Sequence, residues 1–585
     1  MPSILTKSKG KSATINRGSD YYRYPRIRII MDIKNISLSA VYTVNGQEFT
    51  AKKLKNEHFE IKLRSSADRI YATLSPKASV SFSRFAIKMP YGFSTDDKIF
   101  VNGYQSWTDS FEYSYGESMQ ELTRLTEFAT TKAPIYSIGM SKSGDSLFHK
   151  YPRRSNLFYG WSYGYVRKSD ENEIDIFGSL SERSGYTIVT FDVENNCIII
   201  EKDLEGVVFE ENAELLSLAV ISGEYNSAFD EYFKAMGVTS RETKRRTGYT
   251  TWYNYYGNIN EKVVRRDLNA IKSLDVDFDC FQIDDGYQAA IGDWLITDKK
   301  KFPNGMKSIA DDIHSGGMIA GLWLAPFAAT PGSRLFKEHK DWLIKDKNGK
   351  PYKTGHNWGG FYSLDIYNEG AREYLKNVFS TVLNVWGFDL VKLDFLYGAC
   401  VLPMHNKSRG KIMCDAMDLL RECCGEKLIL GCGVPLMPAF GKVDYCRIGS
   451  DISLRWKDAK HKIREDVSTP HAVSNSIFRR HLDGRAWKND PDVFLLRDDN
   501  IKMTFEERKL LAKINSLFGN LLFISDNVSD YSPEQLEALK DAFAQKDVEI
   551  YSAGFAQKDI MEIIYAENGE AKRLCFNIRT GEQLI

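Results

Sequence analysis

The chain has 585 residues, with 78 Lys and Arg against 78 Asp and Glu, so its formal net charge is zero. That length suggests three or four domains, or one large domain with attachments, and a core that needs no disulfide or metal staples. Charge balance excludes a generally basic nucleic-acid binder and a strongly acidic tail protein, whereas the aromatic share of 13% suits a protein that stacks flat faces against ligands.

Residues 1–30 are basic (Lys7, Lys9, Lys11, Arg17, Arg23, Arg26 and Arg28 against Asp20) and lack the apolar run of a classical secretory signal. They read as an extension poorly tied to the fold. From 31 to 245 the pattern is strand-like, as in "ISLSAVYTV", "HFEIKLR", "ASVSFSRFAIKM", "YTIVTFDV" and "CIIIEKDLEGVVF". Period-2 alternation with turn residues at short intervals predicts an antiparallel β-sandwich. "GWSYG" (160–164) matches G-x-S-x-G, but that nucleophile elbow needs a strand, a sharp turn and a helix. Here it sits within strand-like sequence and reads as a decoy.

From 246 to 530 short apolar runs alternate with helical stretches such as "EKVVRRDLNAIKSL" and "GAREYLKNVFSTVLNVW". Candidate strands fall at 248–256, 278–286, 318–327, 388–395, 427–435, 444–451, more weakly at 492–497, and at 520–527. Eight such units make the arithmetic of a (β/α)8 TIM barrel. No G-x-G-x-x-G follows a strand, which argues against the competing doubly wound sheet and against a nucleotide cofactor. From 531 to 585 a helix precedes "MEIIYAEN" and "AKRLCFNI", a small C-terminal β domain. The chain is thus expected to be multi-domain α/β: sandwich, barrel and small β domain.

Nine cysteines form no C-x-x-C pair, and the histidines form no H-E-x-x-H motif, so no metal site is expected and a reducing, cytoplasmic compartment is. No apolar run is long enough to span a membrane.

In a barrel of this kind chemistry sits where strands end. The second predicted strand ends in Asp284-Asp285, the third passes Trp323, the fourth ends in Lys392-x-Asp394 and the sixth in Arg447-x-x-x-Asp451. Each alone has a plain structural reading: an Asp after a strand often caps a helix, and a Trp in an apolar strand fills a core. Converging on one face, carboxylates with aromatic walls and no histidine ligands match glycoside hydrolysis, in which one carboxylate attacks and another protonates the leaving oxygen.

Several stretches together carry a resemblance: "NGYQSW" (102–107), "QIDDGYQ" (282–288), "GLWLAPF" (321–327), "LVKLDFLYGA" (390–399), "ILGCGVPLMPAFGKVDYCRIGSD" (429–451) and "WKNDPDVFLLR" (487–497). The chain resembles glycoside hydrolase family 36, which comprises retaining α-galactosidases and some α-N-acetylgalactosaminidases. The resemblance implies that Asp394 is the nucleophile and Asp451 the acid/base. It places Asp284 and Asp285 on the 4- and 6-hydroxyls, Lys392 on the 3- and 4-hydroxyls, and Arg447 near the 2-hydroxyl. Trp323 would wall the pocket and Trp107 would reach over it from the sandwich. The loop holding Cys432 would border the 2-position, where galactose and N-acetylgalactosamine differ. The positive charge of Lys392 is expected to keep Asp394 ionised. Arg447 is expected to face the sugar or Asp394 more than Asp451. Trp252, Trp294 and Trp358 are further candidates for sugar contact, and His356 divides evenly between loop structure and contact. The implied partner is an α-galactoside, with no cofactor, nucleic acid or membrane, and with room for a homo-oligomer. An α-N-acetylgalactosaminidase, or a sugar-binding or transglycosylating homologue, is the alternative.

Overall fold

The computed structural model describes residues 33–66, 68–119, 154–168, 172–242, 244–457 and 467–584, together with Asp145, Phe148 and His149. The basic segment 1–30 lies outside the described residues.

The alternating N-terminal sequence forms two antiparallel seven-stranded sheets. One runs Gln47–Ala51, Ser37–Val44, Val80–Pro90, Cys197–Asp203, Tyr186–Asp192 and Leu157–Trp161, with Val208–Phe209 added beside Val80–Pro90. The other runs Phe59–Ser66, Arg69–Pro76, Ala213–Glu224, Glu173–Ser179, Tyr163–Arg167, Lys98–Val101 and Phe111–Tyr113. In Ser37–Val44 the residues Leu38, Ala40, Tyr42 and Val44 are buried while those between are less so, the half-buried alternation of a sandwich strand. Much of the aromatic excess fills this domain: Phe100 stacks on Tyr165 with centroids 4.6 Å apart, and Tyr113 on Phe158 at 5.1 Å. Ser162 of "GWSYG" lies between two strands, Leu157–Trp161 and Tyr163–Arg167, with no helix after it, so the elbow geometry is absent.

The barrel strands are Arg246–Thr250, Cys280–Ile283, Ile319–Leu324, Leu390–Leu393, Leu428–Gly431, Tyr445–Arg447, a seventh in two pieces (Lys488–Asp490 and Val493–Phe494), and Leu521–Ile524. All neighbours pair in parallel. The hydrogen-bonded path begins at Lys488–Asp490 and ends at Val493–Phe494. Only Pro491 and Asp492 separate those two pieces, so the sheet closes on itself. Proline has no N–H to donate to a ladder, which fits its place at this break. Every predicted strand is present, but most are shorter than predicted at their C-terminal ends. The apolar texture continues there into buried loops, and those loops carry the polar groups of the site.

Helices follow the strands in turn, the last being Pro533–Phe543. Its Phe543 meets Phe278 and Phe494 at centroid distances of 5.2 and 5.9 Å, which packs it on the barrel. A three-stranded antiparallel sheet, Val548–Gln557, Ile560–Glu567 and Glu570–Asn577, ends the chain. Its first strand escaped prediction because "VEIYSAGFAQ" is largely exposed and shows little alternation.

One buried cation fastens sandwich to barrel. Arg479, on the loop after helix Thr469–Phe478, donates to the carbonyls of Gln105 (3.1 Å), Ser106 (2.7 Å), Thr108 (2.7 Å) and Ile448 (2.7 Å), and to Ser110 Oγ (2.8 Å). Ser110 N donates to Asn475 Oδ1 at 2.7 Å and Ser106 N to the Val434 carbonyl at 3.0 Å. These bonds hold the 102–110 loop, and with it Trp107, over the ends of the barrel strands.

Candidate active site

A cavity of about 270 Å³ opens at those strand ends, lined by Trp107, Trp252, Asp284, Asp285, Trp323, Asn357, Trp358, Lys392, Asp394, Phe395, Asp451 and Val467. Seven of the nine predicted site residues therefore share one wall. The helix-capping alternative does not apply: barrel helices are capped by Asn260, Asn368, Ser408 and Thr504.

Asp284 and Asp285 leave the second strand in sequence and diverge. Asp284 accepts from Lys392 Nζ at 2.8 Å and from Gln282 Nε2 at 2.7 Å. Asp285 accepts from Gln288 Nε2 at 2.6 Å and from the Trp358 indole at 3.0 Å. Burial pushes the Asp285 carboxyl up, Gln288 and Trp358 pull it down, and Asp284 and Asp394 raise it again; the net direction is upward. Lys392 and Asp394 lie two residues apart at the end of one strand and face the same side. Burial alone would weaken the charge of Lys392, but Asp284 and other neighbours overcome it and raise the ammonium above its ordinary value.

Asp394 is buried and held by two donors, the Trp323 indole at 3.1 Å and the Phe395 amide at 2.8 Å. Desolvation pushes its carboxyl up, and Lys392, Trp323 and the Phe395 amide pull it down without cancelling that rise. Lys392 acts on Asp394 in the expected direction, towards the ionised form, but is not the largest influence there. The ammonium spends its short contact on Asp284, so burial prevails at Asp394.

Arg447 also departs from expectation. Its guanidinium donates to Asp451 Oδ1 at 2.7 Å, pairs with Asp492 Oδ1 at 2.7 Å, and reaches Asp490 Oδ2 at 3.3 Å. It thus faces Asp451 rather than Asp394 and stands behind the cavity wall, not on it. The two extra carboxylates come from the broken seventh strand and draw it there. Cys432 is likewise set back: the Trp107 indole donates to its sulfur at 3.4 Å, so the indole stands between the thiol and the cavity.

The aromatic candidates divide in the same way. Trp252 and Trp358 line the cavity, whereas Trp294 is fully buried and meets Trp323 edge-on at 5.8 Å. Asn357 rather than His356 reaches the wall. Two residues here hold left-handed backbone, Trp358 at φ 54° and Phe395 at φ 55°, with ring centroids 4.7 Å apart. Strain of this kind, about 1–3 kcal/mol per residue, persists only where surrounding structure enforces it and gathers at functional sites. Gly433 completes the fit. At φ +53° a Cβ there would sit 2.9 Å from the Trp107 ring and 3.0 Å from the Phe395 amide, so no larger residue fits beneath the indole.

Asn357, Phe395, Val467, Asp490 and Asp492 were not foreseen as site residues. For the last two a signal existed in "KNDPDVF", where two carboxylates flank the proline of a strand end.

Residues 223–406 match the melibiase family. The chain carries a melibiase domain. The resemblance to glycoside hydrolase family 36 drawn from the motifs is thereby borne out. The chain is similar to α-galactosidase Mel36A of Lactobacillus acidophilus, 26% identical over 254 residues that make up 41% of this chain and 32% of that protein. It is also similar to an α-galactosidase of Escherichia coli, 32% identical over 187 residues, 29% of this chain and 25% of that one. The matched stretch thus spans about a third or less of these relatives' own length. In fold, the α-galactosidase TtGalA of Thermus thermophilus, solved with p-nitrophenyl α-D-galactopyranoside, superposes with a TM-score of 0.68 at 24% identity. That superposition covers 91% of this chain and 98% of that one. The melibiase domain therefore sits in an architecture of sandwich, barrel and small β domain that a solved protein shares almost end to end.

Proposed function

We propose that the protein is a retaining α-galactosidase that releases terminal α-linked galactose. The observation that carries the reading is the cavity itself: four carboxylates and one ammonium under indole walls, in a space smaller than most drug-sized pockets and suited to one pyranose ring. Asp394 attacks the anomeric carbon, and the bond to the leaving oxygen breaks as a glycosyl-enzyme ester forms. Asp451 gives its proton to that oxygen, then takes one from the water that cleaves the ester. Asp284, Asp285 and Lys392 grip ring hydroxyls, the carboxylates as acceptors and the ammonium as donor. Trp323 orients Asp394 through its indole N–H and presents its ring to the cavity. Trp107 closes the site from the sandwich. Arg447 acts on Asp451 rather than on the sugar.

The partner is an α-galactoside, with no nucleic acid or membrane, and a homo-oligomer is the one assembly the reading allows. Among the described residues no helix is long and apolar enough to cross a membrane. All nine cysteines are free thiols, eight of them buried, which supports a reducing cytoplasmic setting.

The reading is tested by comparing p-nitrophenyl α-galactoside with p-nitrophenyl α-N-acetylgalactosaminide. Preference for the first is expected by at least tenfold in kcat/KM, because Trp107 and the buried Cys432 leave little space behind it for an acetamido group. Preference for the second reverses the assignment of the sugar, and turnover of neither removes it.

A further inference from the structure

Arg447 poses a problem for the proposed acid/base. A guanidinium within hydrogen-bond distance of a carboxyl favours its ionised form. Asp451 must nonetheless carry a proton when the leaving oxygen needs one. The surroundings of Arg447 supply the answer. Its other edges meet Asp492 at 2.7 Å and Asp490 at 3.3 Å, and all three side chains are almost wholly buried. Asp492 is fixed in turn: its Oδ2 accepts from the Tyr253 hydroxyl and from the Ile452 amide at 2.9 Å. Its own amide donates to Asp490 Oδ1 at 2.9 Å, and its backbone holds φ 80°, uncommon for a residue with a side chain. The break in the seventh strand thus turns two carboxylates, two residues apart, onto one guanidinium.

We propose that Asp490 and Asp492 are positioning residues that offset the charge of Arg447, so that the arginine orients Asp451 without stripping it of its proton. The inference rests on the role given to Asp451 above. With both carboxylates ionised, the cluster of Arg447, Asp490 and Asp492 carries a net negative charge. Asp394 adds a further negative charge from the fourth strand, opposed by Lys392. Among the described residues, Cys432 from the fifth strand and the hydroxyls of Tyr253 and Tyr256 from the first loop also face Asp451. Removing one buried negative charge therefore leaves more of the arginine's positive charge to bear on Asp451. Burial pushes the Asp492 carboxyl up, with Asp451 and Asp490 adding to that rise against Arg447, as expected where several carboxylates share too little positive charge.

The test is the pH profile of kcat/KM for Asp492→Asn and Asp490→Asn, measured with an alkyl α-galactoside and with a dinitrophenyl α-galactoside. The alkaline limb reports the free enzyme's acid. It is expected to move about one pH unit lower in either variant, a tenfold loss on the alkaline side with the alkyl substrate and much less with dinitrophenol, which departs without a proton. A purely structural role would lower both substrates equally and leave the limb in place, and that result overturns the proposal. If Asp492→Asn fails to fold, Asp490→Asn reads the same limb. If the wild-type protein hydrolyses neither substrate, the reading of the site fails, not this inference.

Discussion

Asp394→Asn is expected to lower kcat on p-nitrophenyl α-galactoside by roughly 10⁴- to 10⁶-fold, on the scale of losing a covalent nucleophile. The amide matches the carboxylate in shape but cannot form the ester. Stability is expected to hold or rise slightly. Desolvation opposes the charge of Asp394, as the upward displacement of its carboxyl records, so a neutral amide relieves that burden. One oxygen still accepts from Trp323 or Phe395, and only one of the two bonds is lost. Kinetics and a thermal melt on the same preparation check both halves. Full activity would remove Asp394 from the chemistry, and a large fall in Tm would show that its charge supports the fold.

Arg479→Met is expected to have the largest effect on the fold. Methionine keeps the aliphatic bulk and removes every donor. The carbonyls of Gln105, Ser106, Thr108 and Ile448 then stay buried without this partner, at about 1–3 kcal/mol for each that finds no other. With relaxation, a loss of about 3–5 kcal/mol is expected in urea unfolding. The 102–110 loop loosens, so KM should rise more than kcat falls, because Trp107 closes the site without touching the reacting bond. Arg479→Lys should recover part of the stability through one or two of the bonds. Unchanged unfolding and unchanged KM would show that the loop is held by other contacts.

The barrel was readable because parallel strands are buried on both faces and stand out as short apolar runs, as in "IAGLWL" and "LVKL". Their ends were not readable to the residue. The aromatic segment "WYNYY" after the first strand shares the composition of a strand although Trp252–Tyr255 is a short helix, and only the hydrogen-bond pattern separates the two. The carboxylates at 284, 285, 394 and 451 were legible from their place after such runs. The direction of Arg447 was not, because it depends on Asp490 and Asp492, some 40 residues further along and hidden by a break at Pro491. The same holds for Cys432, whose neighbour Trp107 lies more than 300 residues away in another domain. Backbone conformation at Phe395 and Trp358 left no trace in residue type, since neither is a residue that favours positive φ.

The claim at the centre of this account is that Asp394 forms a covalent bond to the sugar. An α-galactosyl fluoride with an added ring fluorine slows release of the glycosyl group by destabilising the oxocarbenium-like transition state, so the intermediate accumulates. Mass spectrometry of the digested protein should then show one glycosyl increment, on the peptide that contains Asp394. An increment on any other carboxylate, or no adduct together with β-galactose as the first-formed product, would contradict it.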